Sequence, residues 1–297
     1  MALMTTDNLL NSSLKSTMGA AYARYKKLED ERHSWVNHYR EISDYILPRR
    51  GRYLLEDQSS KGRKRNTKIV DNSAGHALRT LSAGMMSGLT SPARPWFRLM
   101  TPDESMMDES GVKDWLGHVE QSLRRILSAS NFYNTASLTY TELGAFGTHA
   151  LLRRVHPTKI VNYRAFTAGE YVLAENDFYE VDTMGRRFTM TVGQVVRRFV
   201  VQPNGSEDWS VVSKATRQLW NNKNFDEQIN IIHVIQPRAL QDRDLKRMDG
   251  ANREYADLYF EEGADREVFL REDGYDKFPV YAPVSYTHLT LPTIYSV

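Results

Sequence analysis

Leu81-Ser-Ala-Gly-Met-Met-Ser-Gly-Leu-Thr-Ser-Pro-Ala-Arg-Pro-Trp-Phe-Arg-Leu99 changes character half-way along. Its first part is helical: Ala77, Leu78, Leu81 and Met85 recur at helical spacing behind the potential caps Asp71, Asn72 and Ser73. Its second part cannot be. Gly88 suits a left-handed C-cap, and Pro92 and Pro95 lack the N–H that a continuing helix needs. The chain leaves this stop presenting Trp96-Phe97. Taken alone, the pattern predicts a helix end followed by an aromatic anchor buried against the helices that carry Leu81 and Trp115.

Helices surround this block. Leu28, Trp35, Tyr39, Ile42 and Ile46 form one stripe of a long helix that stops at Pro48. Val112, Trp115, Leu116, Val119, Leu123, Ile126 and Leu127 fall on one face of another, spanning 112–127. A third runs from about Asn131 to Phe146 and closes at Gly147. Beyond residue 150 the pattern turns to strands, at Val161–Phe166, Tyr171–Ala174 and Gln228–Gln236. Phe178–Val181 and Phe188–Thr191 flank Asp182-Thr-Met-Gly185 as a hairpin would. Tyr255–Phe260 and Glu267–Leu270 suggest an antiparallel pair around Gly263, followed by an Asp273-Gly274 turn. Thr191-Val-Gly-Gln194 is a capping box for a short helix, Asn204-Gly205 a turn, and Asp208–Trp220 a further helix. The predicted fold class is α+β: a helical portion over 1–150, then a mixed, mainly antiparallel β-rich portion with short helices over 151–283.

The last residues read differently. Val284-Ser-Tyr-Thr-His-Leu-Thr-Leu-Pro-Thr293 carries no charge, and it back-translates to one frame of a common transposon-based sequencing adapter. Residues 284–297 are therefore expected to be a non-native tail, with the natural protein continuing differently.

Composition excludes several classes of function. The 297 residues, 41% hydrophobic and 26% charged, suit a globular chain. Cysteine is absent, which removes disulfides, thiolate catalysis and Cys-based metal sites. No apolar run reaches the ~18 residues of a membrane span. There is no GxxxxGK[ST] phosphate loop, and Gly84-Met-Met-Ser-Gly88 displaces its serine from the G-x-S-x-G pattern. His33 and His38 are five apart, off the i,i+4 spacing of helical metal ligands, and no histidine has an evident carboxylate partner in the sequence. Asp103-Glu104 and Asp108-Glu109 fit the start of the 112–127 helix, where negative charge suits the dipole. Glu261-Glu262 reads as a hairpin rim. No catalytic, metal or cofactor site is predicted.

Net charge is only +2, so bulk charge gives no sign of nucleic-acid binding. One segment departs from that average: Lys61, Arg63, Lys64, Arg65 and Lys68 crowd beside Gly62 and two serines, after Arg49, Arg50 and Arg52. Such a loop is either solvated, or a subunit contact, or a contact to DNA phosphates that salt would weaken. No aromatic residue interleaves it, so stacking of single-stranded bases is not indicated.

The order of landmarks is informative as a whole. Tyr45-Ile-Leu-Pro-Arg49, Ile69-Val-Asp-Asn-Ser-Ala74, Pro92 and Pro95 with Trp96-Phe97, Trp115-Leu116, Asn131-Phe132-Tyr133, Tyr140 to Phe146-Gly147, Ile232–Arg238 and Gly274–Pro279 follow one another. This series resembles the head-to-tail connector (portal) proteins of short-tailed bacteriophages, over roughly residues 20–282 and least distinctively over 195–228. The resemblance implies a wing-like part of a subunit in a ring, usually of twelve chains, at one capsid vertex of the virion, assembled in the host cytoplasm. It implies double-stranded genomic DNA passing through the channel, and terminase, tail or adaptor and capsid proteins as partners, with no membrane and no cofactor. The alternatives are a phage DNA-processing enzyme, which would need a clustered metal site, or another capsid or tail adaptor.

Overall fold

The computed structural model describes residues 18–48, 67–202, 204–244, 246–264 and 268–283. The helices are α1 (Met18–Tyr45), α2 (Ser73–Leu89), α3 (Ser110–Ala129) and α4 (Phe132–Phe146). Strands β1 (Ala150–His156), β2 (Ile160–Phe166), β3 (Tyr171–Glu175) and β4 (Val181–Thr191) follow. The short helix α5 (Val192–Val195) runs into a π-turn over Val196–Val200. Then come α6 (Lys214–Asn221), β5 (Gln228–Pro237), β6 (Tyr255–Glu261), β7 (Arg271–Tyr275) and β8 (Val280–Tyr281). The chain is α+β, helices first and antiparallel sheet later. It condenses into two units interleaved in sequence: Met1–Val36 with Glu170–Phe278, and Asn37–Gly169 with Pro279–Val297.

The first unit is built on a five-stranded antiparallel meander, β3-β4-β5-β6-β7. Ile231 to Ile235 on β5 are all buried because both sheet faces are covered. On one face Ile232, Val234, Leu258 and Phe260 pack against Ala21 and Tyr25 of α1. On the other, Ile231 and Tyr259 meet Val192, Val195, Val196, Phe199 and Val212. The predicted capping box opens α5: the Thr191 hydroxyl accepts from Gln194 N, while the Gln194 side chain accepts from Thr191 N.

Several sequence expectations give way here. β4 is one unbroken strand where a hairpin was expected at Asp182–Gly185. Thr183 and Met184 are fully buried, and a Cβ on Gly185 would lie 2.7 Å from the Tyr25 ring. The glycine is there for close packing under α1, not for a turn. The turn lies earlier, where Asn176 Oδ1 accepts from Phe178 N and Glu180 N. The helix expected over Asp208–Trp220 is only α6, because Ser213 caps its start by accepting from Thr216 N. The strand paired with β6 is β7, beyond the expected Glu267–Leu270, of which Glu267 lies outside the described residues, and Asp273-Gly274 lies inside that strand. Glu261 is buried and accepts from Ser213 N, Ser213 Oγ and Thr216 Oγ1, so it is no hairpin rim.

The second unit packs α2 against α4, with Leu78, Ala145 and Phe146 buried together with Ala168, and Tyr39, Ile42, Ile46 and Leu47 around them. Its sheet has the order β2-β1-β8, and β1 and β8 are strands the sequence pattern did not indicate. Gly147 ends α4 in the left-handed conformation, φ +72°, as expected. Gly88 does not play that part. Helix α2 continues to Leu89, and Thr90 N donates to Met86 O.

Candidate functional site

The aromatic exit from α2 is the focus of the second unit. Trp96 stacks on Phe132, with ring centroids 5.8 Å apart and planes 7° from parallel. Phe97 meets the Trp96 edge at 4.8 Å. Phe132 is met edge-on by Tyr133 and Tyr163, each at 5.3 Å. Trp96 Nε1 donates to Tyr133 Oη at 3.3 Å. Each aromatic pair is worth about 0.5–1.5 kcal/mol beyond the area it buries. Asn131 ties this cluster to the sheet. Its Nδ2 donates to Tyr163 O at 2.6 Å and its Oδ1 accepts from Tyr163 N at 2.8 Å. Leu99 N donates to Glu120 Oε1 at 2.7 Å, fixing the segment beyond the prolines to α3.

The structure thus brings together Trp96, Phe97, Asn131, Phe132 and Tyr133, but in a setting other than the one expected. Trp96 and Phe97 are half-buried, and the partners of Trp96 are Phe132 and Tyr133 of α4, with Tyr163 of β2 against Phe132. Leu81 and Trp115 are exposed, Trp115 by 63%. The amphipathic period correctly predicts the helix of α3, yet of its stripe only Leu116 is buried. Pro92 and Pro95 are exposed beside the cluster. Phe146 is buried elsewhere, with its ring edge-on to Tyr39 at 5.7 Å. Tyr163 and Glu120 carry no sequence signal that would have singled them out.

Of the basic segment, Lys61, Arg63, Lys64 and Arg65 lie outside the described residues. Lys68 is described, and its Nζ pairs with Asp44 Oδ2 at 2.6 Å. The pair is exposed, so salt screens it. The Asp44 hydrogen bond raises the Lys68 pKa and keeps the ammonium charged.

The first unit holds a buried polar chain. Arg186 Nε donates to His233 Nδ1 at 3.1 Å, and His233 Nε2 lies 2.6 Å from Asp257 Oδ1. Since guanidinium nitrogens only donate, Nδ1 accepts, and the ring proton on Nε2 goes to Asp257. Tyr259 stacks on the imidazole at 4.0 Å. A carboxylate-oriented imidazole is also found in hydrolase triads, but here the other ring nitrogen is taken by Arg186 and both side chains are sealed from solvent. The arrangement locks β4, β5 and β6 together and leaves no nitrogen to act on a substrate. Among the described residues no cluster of three or more metal-ligating side chains exists. No described helix is long and apolar enough to cross a membrane.

The family model for the bacteriophage head to tail connecting protein matches residues 19–286, a span that takes in the aromatic cluster, both sheets and the buried Arg186–His233–Asp257 chain. The chain belongs to this family. Connector-family relatives include the probable portal protein of Bordetella phage BPP-1, 40% identical over 261 residues, covering 88% of this chain and 45% of that protein. The portal protein of Salmonella phage epsilon15 is 40% identical over 257 residues, 86% of this chain and 44% of its own. This connector chain therefore spans a little under half the length of those relatives.

Proposed function

We propose that this chain is part of the structural subunit of a phage portal: a closed ring, usually of twelve copies, at one vertex of the virion capsid. Double-stranded genomic DNA passes through the channel during packaging and ejection, and the ring docks terminase, tail or adaptor proteins and the capsid. The observation that carries this reading is the connector-family match over residues 19–286 together with 40% identity to two portal proteins. The role is structural rather than catalytic. Its supporting observation is that the carboxylate-paired His233 is buried and capped by Arg186. Assembly into a ring requires a heterologous contact, in which one surface meets a different surface of the neighbour. A channel wall would read DNA by charge and shape, not by base edges.

Within this reading the organisation expected from sequence, a helical portion over 1–150 and a β-rich portion over 151–283, corresponds to the outer wing of the subunit. The experiment is genetic: a nonsense mutation in the phage gene, grown without suppression, should give capsids that contain no DNA. Capsids filled normally in its absence would overturn the reading.

A further inference from the structure

Two hairpin tips, one in each unit, carry opposite charge and present large apolar side chains to solvent. The β3–β4 tip spans residues 175–182. It contains Glu175, Asp177, Glu180 and Asp182 and no cation. At its end Phe178 is 82% and Tyr179 76% exposed. The β1–β2 hairpin spans 150–166. It contains Arg153, Arg154, Lys159 and Arg164 and no carboxylate, with Val155 88% and Ile160 57% exposed. Among the described residues Glu175, Asp177, Glu180, Arg153, Arg154 and Lys159 take part in no ion pair.

Both tips are tied by local hydrogen bonds, and both hold a non-glycine residue at positive φ. Asn176 N donates to Glu180 O at 2.9 Å, Tyr179 N to Asn176 O at 3.0 Å, and Asn176 Oδ1 accepts from Phe178 N and Glu180 N. On the other hairpin His156 Nδ1 accepts from Thr158 N and Lys159 N, at 3.2 and 3.1 Å. Tyr179 has φ +61° and Ile160 φ +66°. Left-handed backbone is costly for a β-branched residue such as Ile160. A monomer gains nothing from spending strain to hold a tyrosine and an isoleucine out in water. Pre-set aromatic and aliphatic anchors ringed by unpaired charge are what a specific protein contact uses: the anchors supply affinity, and the charges supply register.

We propose that the acidic aromatic tip, Glu175–Asp182, of one copy docks on the basic β1–β2 hairpin of the next copy, forming the heterologous contact that propagates the ring. The occupant is a second copy of this chain because the two surfaces are complementary in charge and sit on one sequence. Two different patches on one chain give a head-to-tail contact, the geometry that closes into rings. This inference rests on the portal reading, and the test separates the two.

The 297 residues contain no cysteine, and any cysteine elsewhere in the full-length gene product is first replaced by Ser so that two introduced thiols are unique. Tyr179→Cys and Ile160→Cys are combined in the full-length gene product, and mild oxidation is followed on non-reducing gels. The double variant gives a ladder of covalent multimers, while either single variant stops at monomer or dimer. In parallel, Asp177→Lys with Glu180→Lys, or Arg153→Glu with Arg154→Glu, reduces ring yield roughly tenfold or more. Combining both reversals restores it. Circular-dichroism melts within error of the parent show that each variant folds. If the parent forms rings, but no ladder appears or neither reversal lowers their yield, the hairpin contact is wrong and the portal reading stands; the tips then face another partner. If the parent forms no rings, both are overturned.

Discussion

Asn131 grips the backbone of Tyr163 from both sides, donating to its carbonyl at 2.6 Å and accepting from its amide at 2.8 Å. A side-chain amide here completes the edge of strand β2 as another strand would, and it does so from the N-cap position of helix α4. The Asn131-Phe132-Tyr133 landmark thus has a physical reason. The amide fixes the helix to the sheet, and the two aromatics that follow receive Trp96. Replacing Asn131 by Ala strands one carbonyl and one amide at a half-buried site. The expected cost is about 2 kcal/mol in urea unfolding. Asn131→Asp, which keeps the acceptor and turns the donor into a repulsive oxygen, is expected to cost at least as much. A loss below about 0.5 kcal/mol for Asn131→Ala would show that water replaces the clamp.

Trp96 is half-buried against Phe132, so its truncation is expected to cost less than the ~3–5 kcal/mol of a core Trp→Ala change. About 2 kcal/mol is expected for Trp96→Ala. Trp96→Phe should retain most of the stacking and lose only the long bond to Tyr133. Equal losses for the two variants in thermal unfolding would contradict the assignment of the stack as the main contribution.

Asp257→Ala removes the acceptor of the His233 Nε2 proton and the negative charge two steps from Arg186, all within a sealed sheet. Breaking a buried pair by deleting one partner costs about 3–5 kcal/mol. The expected result is a large loss of unfolding free energy confined to the first unit, read by hydrogen exchange on β4 to β6. A loss under about 1 kcal/mol would mean that the network is dispensable.

Glu29 contributes a pH dependence. Burial acts to raise its pKa, but hydrogen bonds from Lys26 and Tyr25 outweigh it and hold the carboxyl below the usual glutamate value. A depressed folded-state pKa contributes stability that is present above the unfolded value, about 4.3, and is lost as pH falls through the lower folded value. Glu29→Gln is therefore expected to be less stable than the parent at pH 7 and to lose less on acidification below about pH 5. Parallel stability-versus-pH curves for the two proteins would contradict this.

The basic segment is tested by replacing Lys61, Arg63, Lys64 and Arg65 with Ser. The expected outcome is an unchanged fold, ring yield and DNA retention, which is the behaviour of a solvated segment. Reduced DNA retention that mimics raised salt would show phosphate contact instead. Rings lost before DNA is present would show a subunit contact.

The sequence made the four long helices legible because each keeps its 3.6-residue period over several turns. It made β5 legible because Ile229 to Ile235 is β-rich and stopped by Pro237. It misread burial on α3, because periodicity reports amphipathicity and not what covers the face. It misread β4, because Gly185 looks the same in sequence whether it bends a hairpin or lets Tyr25 approach. Strand β1 was missed because Arg153-Arg154 interrupts its apolar alternation. The aromatic cluster was half legible. Trp96, Phe97, Phe132 and Tyr133 stand out as residue types, whereas Tyr163 joins them only through the pairing of β2. The Arg186–His233–Asp257 chain was invisible, since three residues spread over 72 positions meet only through strand register.

The most direct test of the portal assignment is electron microscopy with native mass spectrometry of the purified full-length gene product. The account predicts closed rings of identical copies around a central channel wide enough for duplex DNA, with a mass that is an integral multiple of one chain. Monomers or open filaments as the stable product, in buffers where the protein is folded, would contradict it.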